Sequence, residues 1–116
     1  MIDEVAVISI WAEDVAETAH FYRDVLGLEL LHHSHAGRPH FMVGGAMLTI
    51  LKGKPQPAEN PEPPRFPLFA FRVSDLDLAV ARLESHGVDL PWGVEVGAGS
   101  RWVMFHDPAG NLIELT

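Results

Sequence analysis

Over residues 5–11 the chain alternates. Val5, Val7, Ser9 and Trp11 fall on one side of an extended segment, and Ala6, Ile8 and Ile10 fall on the other. Such a strand has one aliphatic face, which predicts packing against the element that follows. The period then changes to that of a helix over residues 14–27: Asp14 stands at the N-cap, Glu17 completes a capping-box pattern, Val15, Ala19, Tyr22 and Leu26 recur on one side, and Gly27 ends the run. Residues 28–35, a turn through Gly37 and Pro39, and residues 40–43 read as a hairpin, and Gly44-Gly45 turns the chain into residues 46–52. The predicted order is β-α-β-β-β.

The pattern then repeats. Ile8-Ser9-Ile10-Trp11-Ala12-Glu13-Asp14 is matched by Phe69-Ala70-Phe71-Arg72-Val73-Ser74-Asp75, 61 residues further on. A second helix is predicted from Asp75 to Gly87, with Leu76, Ala79, Val80 and Leu83 inward. Residues 91–100 are less regular, and Gly93 and Gly97-Ala98-Gly99 read as a flexible loop, since no lysine-serine or lysine-threonine ending makes them a phosphate cradle. Strands are predicted again at 101–106 and 111–116, joined by a turn at Asp107-Pro108-Ala109-Gly110. If that turn is simple, Phe105 lies opposite Leu112 and Val103 opposite Glu114, so Trp102 points toward the helix. A bulge at the turn reverses this. Between the copies, residues 55–64 carry five prolines, which favour an extended linker. The expected organisation is one domain of module 1–54, proline-rich linker 55–65 and module 66–116, sharing a core and a cavity.

At 116 residues, half-size units are too small to bury a sufficient core singly, which favours pseudo-duplication within one domain. No run of residues is apolar and long enough to cross a bilayer, and the N-terminus lacks the basic start of a secretion signal, so a soluble, cytoplasmic protein is expected. Sixteen acidic residues against eight basic ones give a net charge of −8, which disfavours nucleic acid as a partner and accommodates a neutral or cationic small molecule. Cysteine is absent, and with it disulfides, thiolate nucleophiles and cysteine-ligated metals.

Two β-α-β-β-β units, a helix start with Asp14, Val15, Phe21, Tyr22 and residues 25–28 (Val-Leu-Gly-Leu), and the run Phe105-His106-Asp107-Pro108-Ala109-Gly110-Asn111-Leu112-Ile113-Glu114-Leu115 together resemble the vicinal oxygen chelate superfamily. That group includes glyoxalase I, extradiol dioxygenases, fosfomycin-resistance enzymes and bleomycin-resistance proteins. The resemblance implies an α+β fold of two paired modules forming a curved mixed sheet around a cavity, and a homodimer. It also implies, in the metal enzymes, one ligand on the first and one on the last strand of each module. Seven residues before Asp14 and Asp75 stand Val7 and Leu68; aligning Gly45 with Gly110 sets Thr49 opposite Glu114. Aliphatic side chains cannot coordinate a divalent ion, so the resemblance points to the metal-free, ligand-binding branch, with no cofactor.

The expected site follows from these positions. Glu114 is a candidate anchor for a cationic or hydroxylated ligand or a candidate general base, with pairing to Arg101 or Arg72 as the structural alternative. Val7, Ser9, Trp11, Thr49, Leu68, Trp92, Trp102 and Phe105 are candidate ligand-binding residues, the indoles for stacking. His33, His35 and His40 would share a face if the hairpin turns at residues 36–39, which sets His35 opposite His40 and makes them the one candidate metal cluster; a solvated patch is the alternative. The expected function is metal-free binding or sequestration of a small organic molecule. The rivals are a metal-dependent lyase, isomerase or dioxygenase, a metal-free enzyme with Glu114 as base, and an accessory module.

Overall fold

The computed structural model of the protein describes residues 1–31, 38–55 and 68–116. These form two compact units, Met1–Pro55 and Gln56–Thr116. Apart from Pro55, the predicted linker lies outside the described residues, as do His33 and His35.

The first unit comprises β1 (Val7–Ala12), helix α1 (Val15–His20) continuing into a π-helical turn (Phe21–Val25), β2 (Glu29–Leu30), β3 (His40–Val43) and β4 (Ala46–Lys52). The second comprises β5 (Phe69–Phe71), α2 (Leu76–Ser85), β6 (Val94–Gly97), β7 (Ser100–His106) and β8 (Leu112–Leu115). Each sheet is four-stranded and mixed, in the orders β1-β4-β3-β2 and β5-β8-β7-β6. In each, the first strand lies parallel to the last, and the remaining pairs are antiparallel. The architecture is α+β, with the same connectivity in both units. Among the described residues no helix is long and apolar enough to cross a membrane.

The repeat holds at the level of single hydrogen bonds. The Asp14 carboxylate accepts from the Glu17 backbone N–H, and the Asp75 carboxylate accepts from that of Leu78, each at 3.0 Å. Each aspartate thereby satisfies one of the donors that a helix start leaves unpaired.

The two helices differ beyond their caps. The predicted stripe Val15, Ala19, Tyr22, Leu26 assumes an uninterrupted α-helix, whereas the buried residues are Thr18, Phe21 and Tyr22. The Leu26 N–H reaches back five residues to the Phe21 carbonyl at 3.1 Å. That wider turn shifts the helical phase and brings two consecutive aromatic rings inward. Tyr22 then packs on Phe41 of β3, with ring centroids 6.1 Å apart.

One face of each sheet is covered by the helix of its unit. In the first unit this face carries Ile10, Phe41, Leu48 and Ile50, and in the second Val103, Phe105, Ile113 and Leu115, all buried. The Arg101 guanidinium, on the same face of β7, pairs with Asp77 of α2. It raises its own pKa and lowers that of Asp77 through that hydrogen bond.

Two local expectations are corrected. The segment read as a flexible glycine loop forms β6 and a two-residue hairpin: Gly97 pairs with Ser100, and Ala98 and Gly99 both take positive φ (48° and 79°). Left-handed backbone at both central positions matches the twist of the flanking strands. An alanine in that position hid the turn. The second correction is to the β7–β8 register, in which Phe105 pairs with Ile113 and Met104 with Glu114. The reason is a three-residue loop, Pro108-Ala109-Gly110: the Asp107 N–H still donates to the Asn111 carbonyl at 2.9 Å, and Gly110 takes φ 97°. The buried Asp107 carboxylate pins this loop, accepting from the Ala109 N–H (3.0 Å), the Asn111 N–H (2.9 Å) and Asn111 Nδ2 (2.9 Å).

Candidate functional site

The chemistry-bearing residues gather on the sheet face that each helix leaves free. In the first unit, Val7, Ser9 and Trp11 of β1 alternate outward while Ile10 and Ala12 are buried. Ser9 pairs with Thr49, and Thr49 with His40, so a polar row of three residues crosses β1, β4 and β3. Thr49 is buried and its hydroxyl donates to the Pro39 carbonyl at 3.0 Å. His40 Nδ1 lies 2.8 Å from the Arg38 carbonyl, which can only accept, so the neutral ring carries its proton there and its lone pair on Nε2. Trp11 is 47% exposed and rests on Gly53, where an added Cβ would meet indole Cε3 at 2.8 Å.

Just beyond the end of β2, the residue beside His40 is Leu31, whose N–H donates to the His40 carbonyl at 2.9 Å. The sequence reading set His35 in that place. Among the described residues no group of three or more His, Cys, Asp or Glu side chains is placed to hold a metal.

In the second unit the corresponding face carries Glu95 of β6, Trp102, Met104 and His106 of β7, and Leu112 and Glu114 of β8. Ala70 of β5 pairs with Glu114, and strand alternation puts Leu68 on the same side. Trp92, in the loop before β6, stacks at a tilt on His106 with centroids 6.0 Å apart. Trp92, Trp102, Leu68 and Glu114 are thus brought to one face of this unit. Phe105 is not: it is wholly buried on the helix side, because the β7–β8 register exchanges it for Met104. The same register shift turns Trp102 toward the face of Glu114 instead of toward the helix.

Arg101, offered as a partner for Glu114, lies on the opposite face and pairs with Asp77. Sequence reasoning passed over Glu95, Met104 and His106 as site residues. Glu95 is the most telling, since its Oε1 is sealed from solvent and has no hydrogen-bond partner among the described residues. The signal for it was available in the alternation Val94-Glu95-Val96, a carboxylate between two valines, once that segment is read as a strand.

The internal symmetry locates the family's expected ligand positions. Val7 precedes by two residues the Ser9 that pairs with Thr49, and Leu68 precedes by two the Ala70 that pairs with Glu114. The four positions are therefore structurally equivalent two by two. They offer two aliphatic side chains, a hydroxyl already donating to a carbonyl, and one carboxylate. A divalent ion needs several imidazole, carboxylate or thiolate donors, so this set does not fit one.

A model of the glyoxalase/bleomycin resistance protein/dioxygenase superfamily matches residues 2–115. The chain belongs to that superfamily. Among its relatives is the uncharacterized protein YaeR of Escherichia coli (strain K12), 32% identical, with 98% of this chain and 95% of YaeR covered. The lactoylglutathione lyase of Agrobacterium tumefaciens is similar in structure, with a TM-score of 0.75, 26% identity and coverage of 98% of this chain and 92% of that one. TnmS3, an antibiotic binding protein from Streptomyces sp. CB03234, has a TM-score of 0.79 and 26% identity, with 99% and 95% covered. An enzyme and a binding protein of one superfamily thus resemble this chain to a similar degree, and the choice between them falls to the site.

Proposed function

We propose that this protein binds a small organic molecule without a metal, using the aromatic-bearing sheet faces that its helices leave free. The observation that carries this reading is the pair of aliphatic residues, Val7 and Leu68, at equivalent positions where the superfamily's metal enzymes are expected to place ligands. The surfaces themselves support it: Trp11 in one unit and Trp102 and Trp92 in the other lie among Val7, Met47 and Leu51, and Met104 and Leu112, respectively. Broad apolar walls with a few fixed polar groups are the usual make-up of a small-molecule site. Here the polar groups are Thr49, His40, Glu95 and Glu114. The similarity to the antibiotic binding protein TnmS3 points the same way.

The test is elemental analysis of untagged protein purified without chelator, then reconstitution with zinc, nickel, manganese and iron(II), followed by a ligand screen read by tryptophan fluorescence. Substoichiometric metal throughout, with saturable quenching by an organic ligand, is the expected result. One tightly bound metal per chain would overturn the reading.

A second reading is favoured by one observation: Glu114 lies on a largely apolar face opposite Met104, and its carboxylate has no hydrogen bond or ion pair among the described residues. A carboxylate so placed is suited to act as general base on a carbon acid. Turnover abolished in Glu114→Gln with ligand affinity retained would establish this version.

A further inference from the structure

The β6–β7 hairpin holds the least satisfied polar group among the described residues. Glu95 is directly opposite Trp102, and the two share the face of Met104 and Glu114. Trp102 lies across β6 against the bare backbone of Gly97, where an added Cβ would meet indole Cη2 at 3.1 Å and Cζ3 at 3.6 Å. Gly97 is two residues beyond Glu95 on the same strand, hence on the same side of the sheet. The hairpin therefore presents an indole laid over its backbone with a carboxylate beside it. That carboxylate is incomplete: Glu95 Oε1 is shielded from water with no donor supplied to it. Buried polar atoms are nearly always paired, because shielding from water without a partner forfeits their hydration.

The basic side chains placed in this unit do not supply the donor: Arg82 is on α2, which covers the other face, and His106, on this face, stacks on Trp92. Arg101 is on the helix side and bound to Asp77. Arg72 follows β5, at the edge of the sheet opposite to β6. A neutral donor would satisfy the oxygen, but the adjacent indole and the net charge of −8 both favour a positive one.

We infer that Glu95 and Trp102 form a recognition site for an organic cation, an ammonium or guanidinium group carried on the small molecule, with the carboxylate as counter-ion and the indole as platform. Glu114, two strands away on the same face, is placed to meet a second polar group of the same ligand. This rests on the small-molecule reading above and adds to it the ligand's charge.

The experiment titrates the 116-residue chain with benzylammonium, which carries the N–H donors that Glu95 Oε1 lacks, and with its neutral counterpart benzyl alcohol. It follows tryptophan fluorescence and the backbone amide shifts of residues 94–104. The expected result is saturable binding of the cation at least tenfold tighter than that of the alcohol, with shifts centred on Glu95 and Trp102. Glu95→Gln, which keeps the shape, is expected to remove that preference. Trp102→Phe is expected to reduce it by a smaller factor. Equal affinity for the two probes, or a preference unchanged in Glu95→Gln, would overturn the inference and leave the small-molecule reading standing. Failure of that reading itself would show in the metal analysis and not in this ratio.

Discussion

The two units share strand order, helix cap and register, yet they fill equivalent positions on their helix-free faces with different chemistry. Where the first has Ser9 beside a buried Thr49 that donates to Pro39, the second has Ala70 beside Glu114. The first closes its polar row with His40, where the second has Met104, with Glu95 and Trp102 paired in the adjacent row. On the helix-covered faces, by contrast, both units are apolar and closely filled: Ile10, Phe41, Leu48 and Ile50 in one, Val103, Phe105, Ile113 and Leu115 in the other. The difference teaches that one side of each sheet maintains the fold while the other has been free to diverge, with the carboxylates gathered in the second unit.

Substitutions that test this division are expected to separate sharply. Phe105→Ala and Phe41→Ala, each emptying a buried ring position under a helix, are expected to destabilise by roughly 3 to 5 kcal/mol in chemical denaturation. Glu114→Gln, on the free face, is expected to stay within about 0.5 kcal/mol of the parent. A Phe105→Ala variant as stable as the parent would break the comparison.

Next in size are the glycines that seat the two indoles. Gly53→Ala sets a methyl group 2.8 Å from Trp11 Cε3, against 3.1 Å to Trp102 for Gly97→Ala. At Gly53 the ring must move, at a cost of about 1 kcal/mol, the low end for overpacking because Trp11 is half exposed; at Gly97 the ring need give only slightly, and the effect is smaller. The emission maximum should shift as the displaced indole gains exposure. An unchanged spectrum for Gly53→Ala would show that Trp11 does not rest on that backbone.

The helix caps should respond alike if the repeat is as regular as its hydrogen bonds. Asp14→Ala and Asp75→Ala are each expected to cost about 1 kcal/mol. A difference above ~1 kcal/mol would assign it to the π-helical turn, which follows α1 alone.

The smallest effect concerns the exposed network of His20, Arg23 and Asp24 on the first helix. Its Arg23 hydrogen bond, with help from His20, lowers the Asp24 pKa to about 2 from 3.8. A carboxylate with a depressed folded-state pKa contributes stability above its unfolded pKa and loses it as pH falls through the folded value. The contribution should therefore be complete above pH 3.8 and fade toward pH 2. Carbon-detected NMR titration of Asp24 checks this, and Arg23→Ala should return its midpoint toward the ordinary carboxylate range.

Much of the fold was legible in the chain because local patterns and global architecture agree. Alternation marked β1, the Asp14 and Asp75 caps marked both helices, and the 61-residue offset revealed the duplication. The candidate site was legible where it followed strand alternation, as for Val7, Ser9 and Trp11. It was not legible where a single turn residue decided the outcome. Tertiary structure alone decided that Gly110 closes a three-residue loop, which moves Phe105 into the core and brings Trp102 and Met104 to the face of Glu114. It alone decided that Ala98 enters the left-handed region, which makes a strand of residues 94–97 and puts Glu95 beside Trp102. The physical reason is the period of a β-strand: side chains alternate every residue, so an error of one in a turn reverses every face beyond it. Hydrophobic pattern determines that a face will be buried, while turn geometry and cross-strand pairing determine which residues share it.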